Sequence, residues 1–295
     1  MITGLKKLKR GWRAFSGEEG TCGEMRVRDL RKTANDPRQL TYLSDDFVLA
    51  DVPVAVGRRN GFPMGAGIDP FELAVKRALG VPDPESVITE VLQMYYSLVT
   101  PENASEWMGI EANGAPELAK SPPWGKVYPW QEVSISDRIE GARKWVRKQN
   151  KREGLTGTVA EGYPHFGPVS EAKLKIEVKR ILRLFRAIQD CGYVRSNAHD
   201  GDILGTVLVG ESDDWRWIAE TGQHRAAAAA GLGFEKIPVR FHRAVYRVDV
   251  AAWPNLSSGV FTEGAAGRVF DNLFDGVIPD VQNPWLAWVD KLHKT

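Results

Sequence analysis

The 295-residue sequence predicts an α/β (α+β) protein, and two observations carry that expectation. Two β-branched runs bounded by glycine, "FVLADVPVAVG" (47–57) and "DILGTVLVG" (202–210), have the length and composition of buried strands. Between them Leu174, Val178, Ile181, Phe185 and Ile188 recur at spacings of four, three, four and three, which draws one apolar stripe along a helix. With 43% apolar and 26% charged residues the chain can bury a real core. Its net charge of +1 offers no overall attraction for nucleic acid, which is not expected as a partner.

The elements follow in order. Residues 1–45 are charged, and the basic start "MITGLKKLKRGWRAF" lacks the apolar stretch of a secretion signal, so a solvated leader is expected. The run 47–57 reads as one strand. "GFPMGAGIDP" is turn-rich, and Asp69-Pro70 has the form of a cap and first turn for a helix that stops at Gly80. "DPESVITEVLQMYYSLV" (83–99) repeats that signature. The Pro- and Trp-rich segment 100–130 reads as a long ordered loop, because disordered chains are poor in aromatics. A basic stretch, "RKWVRKQNKRE", leads to a glycine-rich segment, and a domain boundary is expected near 155. The helix carrying the apolar stripe then ends at Cys191-Gly192. Strands are expected at 202–210, 215–220 and 236–250, with a hairpin turn at Asp213 and Asp214 and an alanine helix after Gly222.

The stretch "ETGQHRAAAAAGLGFEKIPV" (220–239) carries the chemistry. A strand running into a helix at glycine gathers free N–H groups and the positive end of a helix dipole, and lets a ligand approach the backbone. Arg225 adds a fork of donors matched to phosphate oxygens, and His224 a further donor. Five alanines let the helix pack closely on a sheet. Together these make an anion site, best suited to phosphate. A structural cap with Arg225 in a surface ion pair is the alternative.

The segment of about 167–243 resembles the ParB/sulfiredoxin fold, in which a helix, a strand, a second strand ending in a "G-x-H-R"-type turn and an "A…LG…IPV" element follow one another. Here they stand as "LFRAIQDCGY", "ILGTVLV", "WRWIAETGQHRAAAAAGLG" and "KIPVRF". The resemblance implies a nucleotide-binding domain at 156–250, between a mainly helical N-terminal region (1–155) and an aromatic C-terminal segment packed on the core (251–295). It also implies that Thr221, Gly222, Gln223, His224 and Arg225 hold the phosphates of ATP or CTP, accompanied by Mg²⁺. Gln223 stands where sulfiredoxins carry their cysteine, so thiol chemistry is not expected. After residue 250 the Trp- and Phe-rich segment has no sign of a DNA-reading module. The motif is most similar to kinase-type members, with Thr221 in place of their aspartate. In those a carboxylate near the start of the preceding helix acts as base, which implies Glu171 or Glu177, Glu171 being nearer the helix entry. The expected function is therefore phosphotransfer to a hydroxyl of a small molecule or sugar. The alternative is a nucleotide-gated binding protein, acting on DNA or a protein, without turnover.

The remaining candidates are weaker. Lys173, Lys175, Lys179, Arg180, Arg183 and Arg186 are expected to form a solvated helix face, the alternative being that Arg180 and Arg183 reach a substrate phosphate. His165 and His199 lie in loops near the expected cleft without a metal-ligand partner, and no protein metal site is expected. The tryptophans are expected mainly in the core, and Trp253-Pro254 is placed to close over the cleft. Cys22 and Cys191 have no metal spacing, which fits a reducing, cytoplasmic setting. No apolar run reaches the roughly 18 residues of a membrane span, so no integral membrane association is expected.

Overall fold

The computed structural model describes residues 26–195 and 202–294; the basic leader, Cys22 and His199 lie outside them. The described residues form a mixed seven-stranded sheet with helices on both faces. The strands are β1 (Val27–Asp29), β2 (Phe47–Pro53), β3 (Gly57–Arg59), β4 (Phe62–Pro63), β5 (Ile203–Val209), β6 (Trp215–Thr221) and β7 (Lys236–Tyr246), in the order β1-β2-β7-β5-β6-β3-β4. Pairs β2–β7, β5–β6 and β3–β4 are antiparallel, while β1–β2, β5–β7 and β3–β6 are parallel. One sheet thus takes four strands from before residue 155 and three from after it, where the sequence suggested mostly helix ahead of that point.

The run 47–57 is not a single strand. Trp217 donates its indole N–H to the Pro53 carbonyl at 3.0 Å, and a 3-10 turn at Val54–Val56 follows. The chain then re-enters the sheet at Gly57 beside β6 instead of β7. Glycine is required there because a Cβ would lie 2.6 Å from the Trp217 ring. The helix caps match expectation. Asp69 accepts from the N–H groups of Phe71 and Glu72 to start α1 (Pro70–Ala78), and Asp83 starts α2 (Pro84–Leu98). The segment 100–130 is more regular than a loop, with α3 (Ala104–Met108), α4 (Pro116–Ala119) and a 3-10 turn at Pro123–Gly125. Next come α5 (Ile135–Arg152), α6 (Glu171–Cys191) and α7 (Gln223–Gly231), then α8 (Pro254–Ser257), α9 (Glu263–Asp275) and α10 (Asn283–Leu292). The last expected strand stops at Tyr246 and continues as a 3-10 helix, Arg247–Ala252.

The alanine helix α7 sits between two layers, which explains its composition. Ala226, Ala229 and Ala230 pack on the sheet against Val207, Trp217, Val239 and Phe241. Ala227 and Ala228 face an outer layer built from α1, α2, α6 and α10, where the stripe residues Val178, Ile181, Phe185 and Ile188 are buried. Even Gly231 is closely approached: a Cβ there would stand 2.6 Å from the Glu72 carbonyl oxygen. The opposite face of the sheet carries Leu208, Ile218 and Val245 under α9 and the 104–135 segment. Trp253 is core in this second layer, stacked on Phe270 and edge-on to Trp130, and does not lie over the Gly222 turn. Among the described residues no helix is long and apolar enough to cross a membrane.

Candidate functional site

The site is built where β6 hands over to α7. Gly222 adopts the left-handed conformation (φ 69°, ψ 19°), and a Cβ on it would lie 3.0 Å from Ile203 Cα, so both backbone and space call for glycine. No side chain caps the first turn of α7. Arg225 folds back over this turn. Its Nη2 donates to the Asp202 carbonyl at 3.4 Å and lies 3.3 Å from where a Gly222 Cβ would stand. The Asp202 carboxylate takes two bonds from Arg195, at 2.8 and 3.1 Å, and has Arg240 at 3.8 Å. Three guanidinium groups therefore converge on one aspartate beside the glycine turn. Thr221 is half-buried at the end of β6, and Gln223 is held by its own bond to the Glu220 carbonyl and by Asn60, whose amide donates to Gln223 Oε1 at 3.0 Å.

His224 leaves the turn in the opposite direction. Its ring meets Phe71 edge-on with centroids 4.7 Å apart, and Nε2 lies 3.2 Å from Glu177 Oε2, close but off the line of a well-formed hydrogen bond. Sequence reasoning grouped His224 with Arg225 as phosphate ligands; successive positions on a helix point about 100° apart, and here they serve different neighbours. Burial lowers the imidazole pKa below its ordinary value, against the opposing pull of Glu177. The ring is neutral near pH 7.

Glu177 is completely buried within a ring of charge. Arg180 Nη1 donates to both of its oxygens at 2.7 Å, and Lys173 Nζ lies 3.3 Å from Oε1. Lys173, itself fully buried, also holds Glu153 at 3.0 Å and Asn150 at 3.2 Å, and Arg180 reaches Glu153 as well. Burial pushes the Glu177 pKa up, but His224, Arg180 and Lys173 together outweigh it and hold the carboxyl at about 2. So acidic a group is a poor proton acceptor at neutral pH. Glu171 is no better placed. Its side chain is 80% exposed at the entry of α6 and bonded to Lys175 at 2.5 Å. The expected order of the two carboxylates is thus reversed: Glu177 touches the His-Arg segment and Glu171 faces solvent. The basic face of α6 divides likewise, with Lys175, Lys179, Arg183 and Arg186 exposed while Lys173 and Arg180 are locked into the ionic cluster.

Sequence reasoning missed a further layer around His224. Arg59 and Asp69 form a buried pair at 3.0 Å, and the Arg59 guanidinium lies 4.4 Å over the Phe71 ring. Asp69 was legible as a helix cap, but nothing in the sequence links it to Arg59. Glu72 accepts from the N–H groups of Gly65 and Gly67 at 2.9 and 2.6 Å, pinning the glycine-rich loop that leads from Asn60 to Asp69. Its pKa rises to about 7, through burial first and then the charge of Asp69. His165 lies with its ring centroid 6.3 Å from that of His224.

No family model, curated protein or solved structure matches the chain. Its chemistry must therefore be read from the site. No group of three or more His, Cys, Asp or Glu residues placed to hold a metal ion occurs among the described residues. Side by side stand the glycine turn that opens α7, with Arg225 folded over it, and an imidazole close to a buried carboxylate.

Proposed function

We propose that the chain is a nucleotide-dependent phosphotransferase acting on a hydroxyl, the activity that its resemblance to kinase-type ParB/sulfiredoxin-like proteins implies. One observation carries this conclusion: the glycine turn that opens α7 presents Arg225 on one side and the His224–Glu177 pair on the other. The first-turn N–H groups and Arg225 hold the phosphates of ATP or CTP. His224, with Nε2 against Glu177, offers Nδ1 as the proton acceptor. Glu177 acts as its orienting partner, stabilising the imidazolium as a carboxylate does in hydrolase triads. The acceptor oxygen forms a bond to the γ-phosphorus while the bond to the bridging β,γ oxygen breaks. The hydroxyl proton passes to His224, and the charge growing on the departing nucleoside diphosphate is met by Arg225 and the α7 dipole. Mg²⁺ would arrive with the nucleotide and neutralise phosphate charge; the nearest carboxylates in the chain, Asp202 and Glu220, are engaged by Arg195 and by Thr206 and His242.

The test is transfer of labelled γ-phosphate from ATP and from CTP to a pool of small metabolites, run on the wild type and on His224→Asn. Loss of a general base lowers turnover by about 10²–10⁴-fold, with nucleotide affinity nearly unchanged because His224 acts on the acceptor. Undiminished transfer by His224→Asn removes the imidazole from the mechanism. Nucleotide binding without transfer by the wild type replaces phosphotransfer with a nucleotide-gated binding role.

A further inference from the structure

The basic stretch on α5 has no part in the site around Gly222. Arg143, Lys144, Arg147, Lys148, Lys151 and Arg152 are all exposed, while Ile135, Ala142, Val146 and Asn150 of the same helix are buried. At about 100° per residue the six cations fall into two adjoining rows, 143–147–151 and 144–148–152, that cover the solvent side of the helix. The double row is about 14 Å long, from the 1.5 Å rise of a helix. Residues 143–152 hold six cations and no carboxylate, +6 in a chain whose total is +1, which leaves −5 for the rest. The low net charge therefore conceals a strongly one-sided helix.

Among the described residues none of the six makes an ion pair. Of the carboxylates near them in sequence, Asp137 is held by the Ser134 hydroxyl at 2.7 Å, and Glu153 is turned inward to Lys173 and Arg180. Glu140, a turn ahead of Arg143, pairs with no cation among the described residues. Like charges at i,i+4 destabilise a helix. The helix dipole favours cations only in the last turn, where Lys151 and Arg152 stand. Arg143, Lys144, Arg147 and Lys148 thus gain nothing from the helix that carries them. At the edge of the second row, on the side of Lys148 and Arg152, stands Trp145. It is 38% exposed, and its ring is edge-on to Tyr163 with centroids 6.0 Å apart.

We propose that this face of α5 is a docking surface for single-stranded nucleic acid, whose phosphates follow the double row while one base stacks on Trp145. A cationic track beside an exposed aromatic ring is what such a strand requires. The rows span about four phosphates at 3.4 Å each, and the arginine forks match phosphate oxygens. None of these groups reads the sugar, so RNA and DNA strands bind alike. A duplex keeps its bases stacked on one another and offers Trp145 nothing. A bilayer is a poorer partner, because a helix lying on one presses an apolar face into the acyl boundary. The apolar residues of α5 are buried in the protein and leave only the Trp145 ring outside. Binding here does not require a nucleotide at Gly222.

The experiment measures the fluorescence anisotropy of labelled oligothymidine and oligouridine, each of about 20 nucleotides, with the full chain at a series of salt concentrations. Saturable binding of both strands is expected. The logarithm of affinity should fall against that of salt with a slope of about −3, from about four phosphates at about −0.7 each. Lys144→Gln combined with Lys148→Gln should make that slope shallower by about 1.4, and the corresponding pair of arginine substitutions should keep it. Trp145→Ala should weaken binding about fivefold or more at an unchanged slope, because stacking releases no ions. Thermal unfolding reports whether each variant is folded, and the double glutamine variant should melt no lower than the wild type, since it relieves repulsion along the helix. No binding of either strand at low salt, or undiminished affinity in the folded double glutamine variant, overturns the surface. Duplex DNA bound as tightly as the single strands overturns it too, as does tighter binding to vesicles of phosphatidylcholine and phosphatidylserine than to either oligonucleotide.

Discussion

Replacing Glu177 by Gln removes one negative charge from the buried cluster and leaves Lys173 and Arg180 with Glu153 as their remaining carboxylate. Breaking a buried pair in this way costs about 3–5 kcal/mol, because the surviving charges stay desolvated. The pKa gives a second route to the magnitude. A carboxyl held at about 2 in the folded chain against 4.5 in the unfolded one corresponds to about 3 kcal/mol at 1.36 kcal/mol per unit. The two agree. For a chain of this length the unfolding midpoint falls by about 5–10 °C. The sign follows from the depressed pKa: this stability is present above pH 4.5 and is lost as pH falls through 4.5 toward 2. The gap between wild type and Glu177→Gln should therefore be full at pH 7 and close by about pH 2. Urea unfolding at a series of pH values measures it, with Glu171→Gln as a control that leaves the midpoint unmoved because that side chain faces solvent. A variant as stable as the wild type at pH 7, or a gap independent of pH, would falsify the account of Glu177 as a charge-locked partner of His224.

Glu72 shifts the other way, to about 7, so its contribution is present below pH 4.5 and lost as pH rises through 7; Glu72→Gln should remove about 3 kcal/mol of that loss, read from the difference in urea midpoints between pH 5 and pH 8. Arg225→Ala should keep the fold and abolish stabilisation by nucleotide, which for the wild type is about 2.7 kcal/mol at a hundredfold excess over Kd; calorimetry with ATP and CTP decides it, and an undiminished shift in the variant refutes the phosphate site. Ala228→Leu should cost about 1–3 kcal/mol by overpacking, since Ala228 is fully buried between α7 and the outer layer; a neutral result in thermal unfolding would mean that this layer is loosely seated.

Much of the second half of the fold was legible. The stripe from Leu174 to Ile188, the strands β5 and β6 and the alanine helix all declare themselves through local pattern, because each buries a periodic set of residues. The short strands β1, β3 and β4 do not, since two or three residues show no period and pair with strands distant in sequence. The break in 47–57 depends on Trp217, more than 150 residues away. In the site, the strand-to-helix turn at Gly222 was readable from local pattern. Lys173 and Glu177 were not recognisable as buried, because charged residues flanking an apolar stripe normally face water, and their partners Asn150 and Glu153 sit in and just past the end of another helix.

The strand order carries a consequence for how the chain is made. Val48, Leu49, Ala50 and Val52 of β2 are entirely shielded in the finished molecule, and the partner that continues the sheet beyond them is β7. At about 5–20 residues per second a ribosome needs roughly 10–40 s to synthesise the 180 or so residues between the two. Until then β1, only three residues long, is the one neighbour among the described strands that β2 can acquire. A nascent chain stalled before residue 236 exposes a sticky, unpaired edge, the kind of surface that recruits a chaperone or another copy of itself.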